Sequence, residues 1–291
     1  MANLKEIRIR IASVTNTRQV TSAMKMVSAA KLRKAQDAIT KIKPYAQKMQ
    51  EIVATVSSSV SERFASPLFT GNKSKNVLVI VVTSNKGLCG LYNASVVRSA
   101  LDWIENNKAT IFNNKEVVFA TIGRKGYDIL AKQNKKIIYR NDELANKPTY
   151  ELSSEFINNI VARYLLHEVS RVYIFYNCFK NAASQKPVME RLIPITLKKT
   201  KGNIISDFIL EPNSDAIMKG LVPKMMEIQF HAIVLDATAS EHGARMTAMH
   251  QATDNATELI DTLRLYYNKA RQDAITNELL EIVSGAEALK G

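Results

Sequence analysis

Hydrophobic positions follow two different spacings along the chain. Stepping alternately by four and three from Leu221 visits Met225, Ile228, Ala232, Leu235, Ala239, His242, Met246, Met249, Thr253, Ala256, Ile260, Leu263, Tyr267, Ala270 and Ala274. All but His242 and Thr253 are apolar. A 3.5-residue repeat held this long outlasts an ordinary amphipathic helix and predicts a left-handed coiled coil. The same step runs through Leu4, Ile7, Ile11 and Val14, then through Leu32, Ala35, Ile39 and Ile42. Between them it meets Arg18, Thr21, Lys25 and Ser28. A polar stretch weakens the seam, so tight self-association is not its only role there.

Breakers set the lengths of the two helices. The first glycine is Gly71 and Pro44 is the one proline between residues 3 and 56, which predicts one long helix with a kink or local defect at Pro44. It would run roughly 80 Å. Pro212-Asn213-Ser214 supplies a second start signal, and only Gly220, Pro223 and Gly243 interrupt the pattern before Ser284. That predicts a helix of about 60 to 70 residues, on the order of 100 Å.

The intervening segment has the other spacing. Val77–Thr83, Val117–Ile122 and Val172–Tyr176 are short, β-rich apolar runs, as buried parallel strands require. Helical patterns over 94–106, 125–132 and 153–167 alternate with them, so an open Rossmann-like α/β sheet is expected. The fold class is therefore α/β: a central α/β domain at 76–210 plus a long antiparallel coiled coil from an N-terminal helix and linker at 1–70 and a C-terminal helix at 211–291. The longer C-terminal helix should project by about 20 Å or more beyond its partner. Its tip would expose Leu279, Leu280, Ile282, Val283 and Leu289, an apolar end that requires a socket.

Charge narrows the partners. Lys and Arg number 40 against 27 Asp and Glu, a net +13 that suits nucleic acid, anionic lipid or an acidic protein surface. Residues 1–50 carry 11 basic and two acidic side chains, while 214–291 carry seven basic and 11 acidic, so the two ends are complementary. The longest apolar run, Val77–Val82, is six residues, against roughly 20 for a membrane-spanning helix. The basic start has no apolar core of a secretion signal, which argues against export. Cys89 and Cys178 form no CxxC pair, so neither a disulfide framework nor a zinc site is implied.

Chemistry-bearing patterns are sparse. The loop Asn85–Tyr92 follows the first strand, where α/β sheets place phosphate-binding turns, but it matches neither GxGxxG nor GxxxxGK[ST]. A structural turn is expected. His250 and Asp254 have ligand spacing without a third ligand, and no histidine near Cys89 in sequence could activate it. No catalytic residue, cofactor or metal is expected. Two alternative functions stay open at this point: a basic coiled-coil protein binding nucleic acid or anionic lipid, with Lys31, Arg33 and Lys34 lying together, and an enzyme built on the α/β domain.

Three motifs carry a family resemblance. The run Ile275-Thr276-Asn277-Glu278-Leu279-Leu280-Glu281-Ile282-Val283-Ser284-Gly285-Ala286 resembles the C-terminal signature of gamma subunits of F-type ATP synthases. The stretches Ser240-Glu241, Ala244-Arg245-Met246, Ala252-Thr253-Asp254-Asn255 and Tyr267–Gln272 are similar too, as are the opening Ile7-Arg8, Ile11–Val14, Met24 and Lys31, and the Lys86–Gly90 loop. Where many relatives have Asp-Arg in that loop, this chain has Asn85-Lys86, and it has no counterpart of the chloroplast cysteine-pair insertion. The resemblance implies a non-catalytic central-stalk rotor. It would couple a proton-driven c-ring to a hexamer of three alpha and three beta subunits, with epsilon as a further partner, no nucleic acid, and only peripheral attachment to the cytoplasmic face of a bacterial plasma membrane. It also implies that Arg271, Gln272 and Thr276 touch beta subunits, with Arg8, Lys25, Lys31 and Arg33 as partners for acidic beta loops, and that Leu279, Leu280, Ile282 and Val283 fill the hexamer socket.

Overall fold

The computed structural model describes residues 4–59, 67–112, 115–182, 184–196, 211 and 213–288. In order, the elements are α1 (Leu4–Ser59), β1 (Asn76–Val82), α2 (Tyr92–Asn106), β2 (Glu116–Ile122), α3 (Arg124–Lys132), β3 (Ile137–Asn141), α4 (Glu143–Asn146), α5 (Tyr150–Leu165), β4 (Arg171–Phe179), β5 (Gln185–Ile193) and α6 (Ser214–Ala288). The chain divides into two compact units, Ser28–Arg245 and Met1–Val27 with Met246–Gly291.

The larger unit is built on a five-stranded sheet in the order β3-β2-β1-β4-β5. β1 pairs in parallel with β2 and β4, and β2 with β3. The chain moves outward from β1 through β2 to β3, then α5 returns it to β4 on the other side of β1. Strand alternation sends Val77, Val79 and Val81 toward Val96, Val97 and Ala100 of α2 and Leu130 of α3. Leu78, Ile80 and Val82 face the opposite way, into a core shared with Phe156 and Ile160 of α5, Met49, Val53 and Val56 of α1, and α6 from Met218 to Ala237. Burial on both faces is why these strands read as continuous apolar runs.

The sheet differs from expectation at its edges. β3 and β5 were not anticipated, and β5 is antiparallel to β4. Gln185-Lys-Pro-Val-Met-Glu-Arg191 is mostly polar and contains Pro187, because an edge strand needs neither two apolar faces nor every amide in the ladder.

Both long helices form. α1 spans 56 residues with Pro44 inside it, and α6 spans 75, longer than the breakers suggested. Pro223 lies within the third turn of α6 and does not end it. Every predicted seam position of α1 from Leu4 to Ile42 is buried or half-buried, including Arg18, Thr21, Lys25 and Ser28. Along α6 the pattern changes with its surroundings. From 225 to 245 no residue is exposed, because this stretch meets more than one neighbour. Beyond 250 only a narrow stripe is buried, through Ala256, Ile260 and Leu263, as expected of a helix with one partner.

In the smaller unit, Thr253 Oγ1 donates to Thr21 Oγ1 at 2.9 Å across the antiparallel pair. Seventeen residues back from Thr21 is Leu4, the first described residue; seventeen on from Thr253 is Ala270. The stretch 271–288 therefore extends past the described part of α1 by roughly 27 Å. From 271 to 287 every residue except Ala274 is exposed.

Candidate functional site

In the larger unit, strand order reverses between β1 and β4. Open α/β sheets bind ligands outside the carboxyl ends of the strands at such a point. Here the protein's own groups use the donors that a phosphate would need. Arg124 N at the start of α3 donates to Asn85 Oδ1 (2.8 Å), Lys125 N to Ser84 O (3.0 Å) and Gly126 N to Thr83 Oγ1 (2.8 Å). Asn85 also donates through Nδ2 to Asp142 O at 2.6 Å, so its amide bridges two segments. An aspartate at this position could accept from Arg124 N but not donate to Asp142 O. The loop after β1 is the structural turn that its sequence suggests.

Asn93 organises that loop from inside. Its Oδ1 accepts from Ser84 N at 2.9 Å, and its Nδ2 donates to Ser84 Oγ at 2.8 Å and Cys89 Sγ at 3.2 Å. Cys89 packs with Tyr92 and Ala244. Burial raises its thiol pKa, with the nearby Arg245 charge opposing. It is a structural cysteine rather than a reactive one.

α6 lies across the carboxyl ends of β1 and β4. Tyr92 Oη donates to Ala237 O at 2.9 Å, and Phe179 N donates to Asp236 Oδ2 at 3.2 Å. Gly243 permits the approach, since a Cβ there would stand 3.2 Å from Phe179 Cε2. One turn further, Arg245 and Glu241 form an ion pair at 2.6 Å, each only 8% exposed. Arg245 also donates to Lys86 O at 2.9 Å and Gly87 O at 3.3 Å. Burial raises the Glu241 pKa while Arg245 and Lys31 oppose it. His242 is held down to about 4 by burial and by the charges of Arg245 and Lys31. Sequence reasoning missed this arrangement; its one local signal was two opposite charges, Glu241 and Arg245, at i, i+4 beside the seam positions Ala239, His242, Met246 and Met249.

In the smaller unit, Arg271, Gln272, Thr276, Leu279, Leu280, Ile282 and Val283 all lie on the α6 stretch beyond α1. At about 100° per residue they occupy one half of the helix circumference, with Asn277 and Glu281 on the other. Leu279, Leu280, Ile282 and Val283 are 57, 59, 67 and 55% exposed, and Ile275 adds a fifth bare apolar side chain. Leu289 lies outside the described residues. The remaining candidates are not grouped with these. Arg8 is exposed on α1, Lys25 is half-buried in the seam, and Lys31 and Arg33 are exposed on the part of α1 that belongs to the larger unit. The charge of Lys31 acts on Glu241 and His242.

Other chemistry is thin. His250 Nδ1 and Asp254 Oδ2 are 3.1 Å apart on an exposed helix face, and among the described residues no three His, Cys, Asp or Glu gather into a metal-binding group. Among the same residues, no helix is long and apolar enough to cross a membrane.

An α/β sheet domain flanked in sequence by two long terminal helices, one ending in bare apolar residues, defines a class of proteins that work inside an assembly. A family model described as ATP synthase matches residues 3–289. ATP synthase gamma chains of Flavobacterium johnsoniae and Flavobacterium psychrophilum are each 46% identical over the full length of both chains, and that of Geobacter sp. is 42% identical, also over full length. The chain belongs to the ATP synthase gamma chain family. The fold is also that of chains in two solved Euglena gracilis mitochondrial ATP synthase structures. The one from the rotor has a TM-score of 0.62 at 18% identity, covering 94% of this chain and 98% of that one. The one from the OSCP/F1/c-ring assembly has a TM-score of 0.65 at 20% identity, covering 98% and 94%. The alternative of a basic coiled-coil protein acting on nucleic acid or lipid is not favoured by these likenesses.

Proposed function

We propose that this chain is the central-stalk rotor of an F-type ATP synthase, a non-catalytic subunit that transmits torque between a proton-driven c-ring and a catalytic hexamer of three alpha and three beta subunits. Epsilon is a further partner. The chain sits peripherally at the cytoplasmic face of a bacterial plasma membrane, held there through the complex. The observation that carries this is the bare end of α6, five large apolar side chains between Ile275 and Val283 on a helix that has outrun α1. Such an end is unfavourable in water and is stabilised in an apolar socket. Family membership supports an assembly that would provide that socket.

Torque transmission needs only differential contact. An asymmetric helix within a threefold collar touches each beta subunit differently, so turning it changes which conformation each site prefers. In this reading Arg271, Gln272 and Thr276 make those contacts beside the apolar end, with Arg8, Lys25, Lys31 and Arg33 as secondary partners for acidic beta loops.

The test is affinity purification of the tagged chain from its own cells, native mass determination and an ATPase assay. One copy with three copies each of two larger nucleotide-binding subunits is expected; recovery of the chain alone, or with nucleic acid, would refute the proposal. Within the complex, Arg271→Ala with Gln272→Ala should weaken ATPase coupling while the helical circular dichroism of the isolated chain stays unchanged. Unchanged turnover and coupling would remove both residues from the beta contact.

A further inference from the structure

Most of the contact between α6 and the sheet is apolar, and apolar packing is non-directional. It holds a helix against a surface but resists rotation about the helix axis weakly. Directional bonds fix that rotation, and on α6 they fall in two groups: Glu227 accepts from Tyr150 and Asn158 and His231 pairs with Ser153, all on the α5 side, while the stretch from Asp236 to Arg245 bonds the carboxyl ends of the strands and the loop after β1. Asp236 accepts from the end of β4, Ala237 accepts from Tyr92, and Arg245 donates to the Lys86 and Gly87 carbonyls. Arg245 differs from the other two. Asp236 accepts from Phe179 N and the Cys178 thiol at the end of β4 and Ala237 accepts from Tyr92, whereas Arg245 makes two charge-assisted bonds to the loop after β1, at the far end of the stretch. Its guanidinium is fixed by Glu241, and the loop it grips is braced by Asn93 and Ser84. Arg245 is also the last residue of the larger unit in sequence.

We propose that Arg245 is the positioning residue that locks α6 to the sheet domain against twist, gripping the Lys86 and Gly87 carbonyls so that torque applied to that domain passes into the helix instead of being lost as slip. This rests on the rotor function proposed above. Glu241 orients the guanidinium, and Gly243 lets the helix come close enough for the grip.

Arg245→Ala alone is a poor test, because it leaves Glu241 buried and unpaired. The double variant Glu241→Leu with Arg245→Met removes both charges together, keeps the packing, and takes the donors away from the loop. Arg245→Lys keeps the charge and one compact donor. Hydrogen exchange of the full chain should show the amides of residues 86–90 exchanging about 100-fold faster in the double variant, from the loss of two charge-assisted bonds, and less than that in Arg245→Lys. In complexes purified with each chain and placed in vesicles, ATP hydrolysis should continue while protons pumped per ATP fall, most in the double variant and partly restored in Arg245→Lys. A purely structural role would lower assembly or thermal stability without changing that ratio. Faster loop exchange with a wild-type pumping ratio would overturn the proposal, as would loop exchange that does not change. A wild-type complex that forms but pumps nothing on ATP hydrolysis would refute the rotor function itself, and the two failures are separable.

Discussion

Gly123 joins β2 to α3 with φ +91° and ψ 141°, a conformation open essentially to glycine alone. A Cβ built there would stand 2.1 Å from the Thr83 carbonyl oxygen and 2.7 Å from its carbon, both backbone atoms. Relief requires moving the end of β1 away from the start of α3. That breaks Gly126 N to Thr83 Oγ1 and strains Thr83 N to Ile122 O, both 2.8 Å. Gly123→Ala therefore combines about 1–3 kcal/mol of backbone strain with the loss of one or two buried hydrogen bonds at about 1–3 kcal/mol each. About 4 kcal/mol or more is expected, a drop of roughly 10 °C or more in the melting temperature of a domain this size. Two further substitutions separate the contributions. Gly90 has φ +59° but nothing within 4 Å of its Cβ position, so Gly90→Ala should cost only about 1–2 kcal/mol. Gly71 has open space and no such φ, so Gly71→Ala should stay within about 0.5 kcal/mol of wild type. The single tryptophan, Trp103, is the reporter; it lies among Phe112, Tyr173 and Phe175 on the α2 face of the sheet, so denaturant titration followed by its fluorescence reads this domain. The reasoning fails if Gly123→Ala lies within about 1 kcal/mol of wild type, or if the three substitutions do not rank in this order.

Two other outcomes follow from the same physics. His242 titrates at about 4 in the folded chain instead of 6.5, so the unfolded chain takes up its proton first as pH falls. Its contribution is complete above 6.5 and is lost between about 6.5 and 4; His242→Asn should flatten the stability-versus-pH curve across that window by up to about 3 kcal/mol, and an unchanged slope would contradict the assignment. At the seam, replacing Thr21 and Thr253 together with Val removes a partly buried hydroxyl pair and adds apolar contact, so the helix pair should gain about 1 kcal/mol by thermal circular dichroism; a loss would show that the Thr21–Thr253 bond outweighs packing.

Sequence alone determined what local periodicity and breakers encode. A 3.5-residue step needs no knowledge of the partner, because any helix carrying it presents one apolar stripe; the seam positions from Leu4 to Ile42 and from Leu221 to Ala274 could thus be named in advance, and each is buried or half-buried. Runs such as Val77–Val82 likewise declare a strand covered on both faces. The bare apolar end of α6 was legible too, from the difference between two helix lengths. Tertiary structure alone decided what depends on residues far apart in the chain. β5 has no apolar run because it lies at an edge, and its antiparallel pairing follows from the short connection after β4. The grip of Arg245 on Lys86 O spans 159 positions, and Tyr92 reaches Ala237 O over 145. The loop after β1 looked like an incomplete phosphate turn. Whether its neighbouring amides were free depended on where Thr83, Ser84 and Asn85 met the start of α3, and that meeting exists only once parallel strands have brought the two segments together.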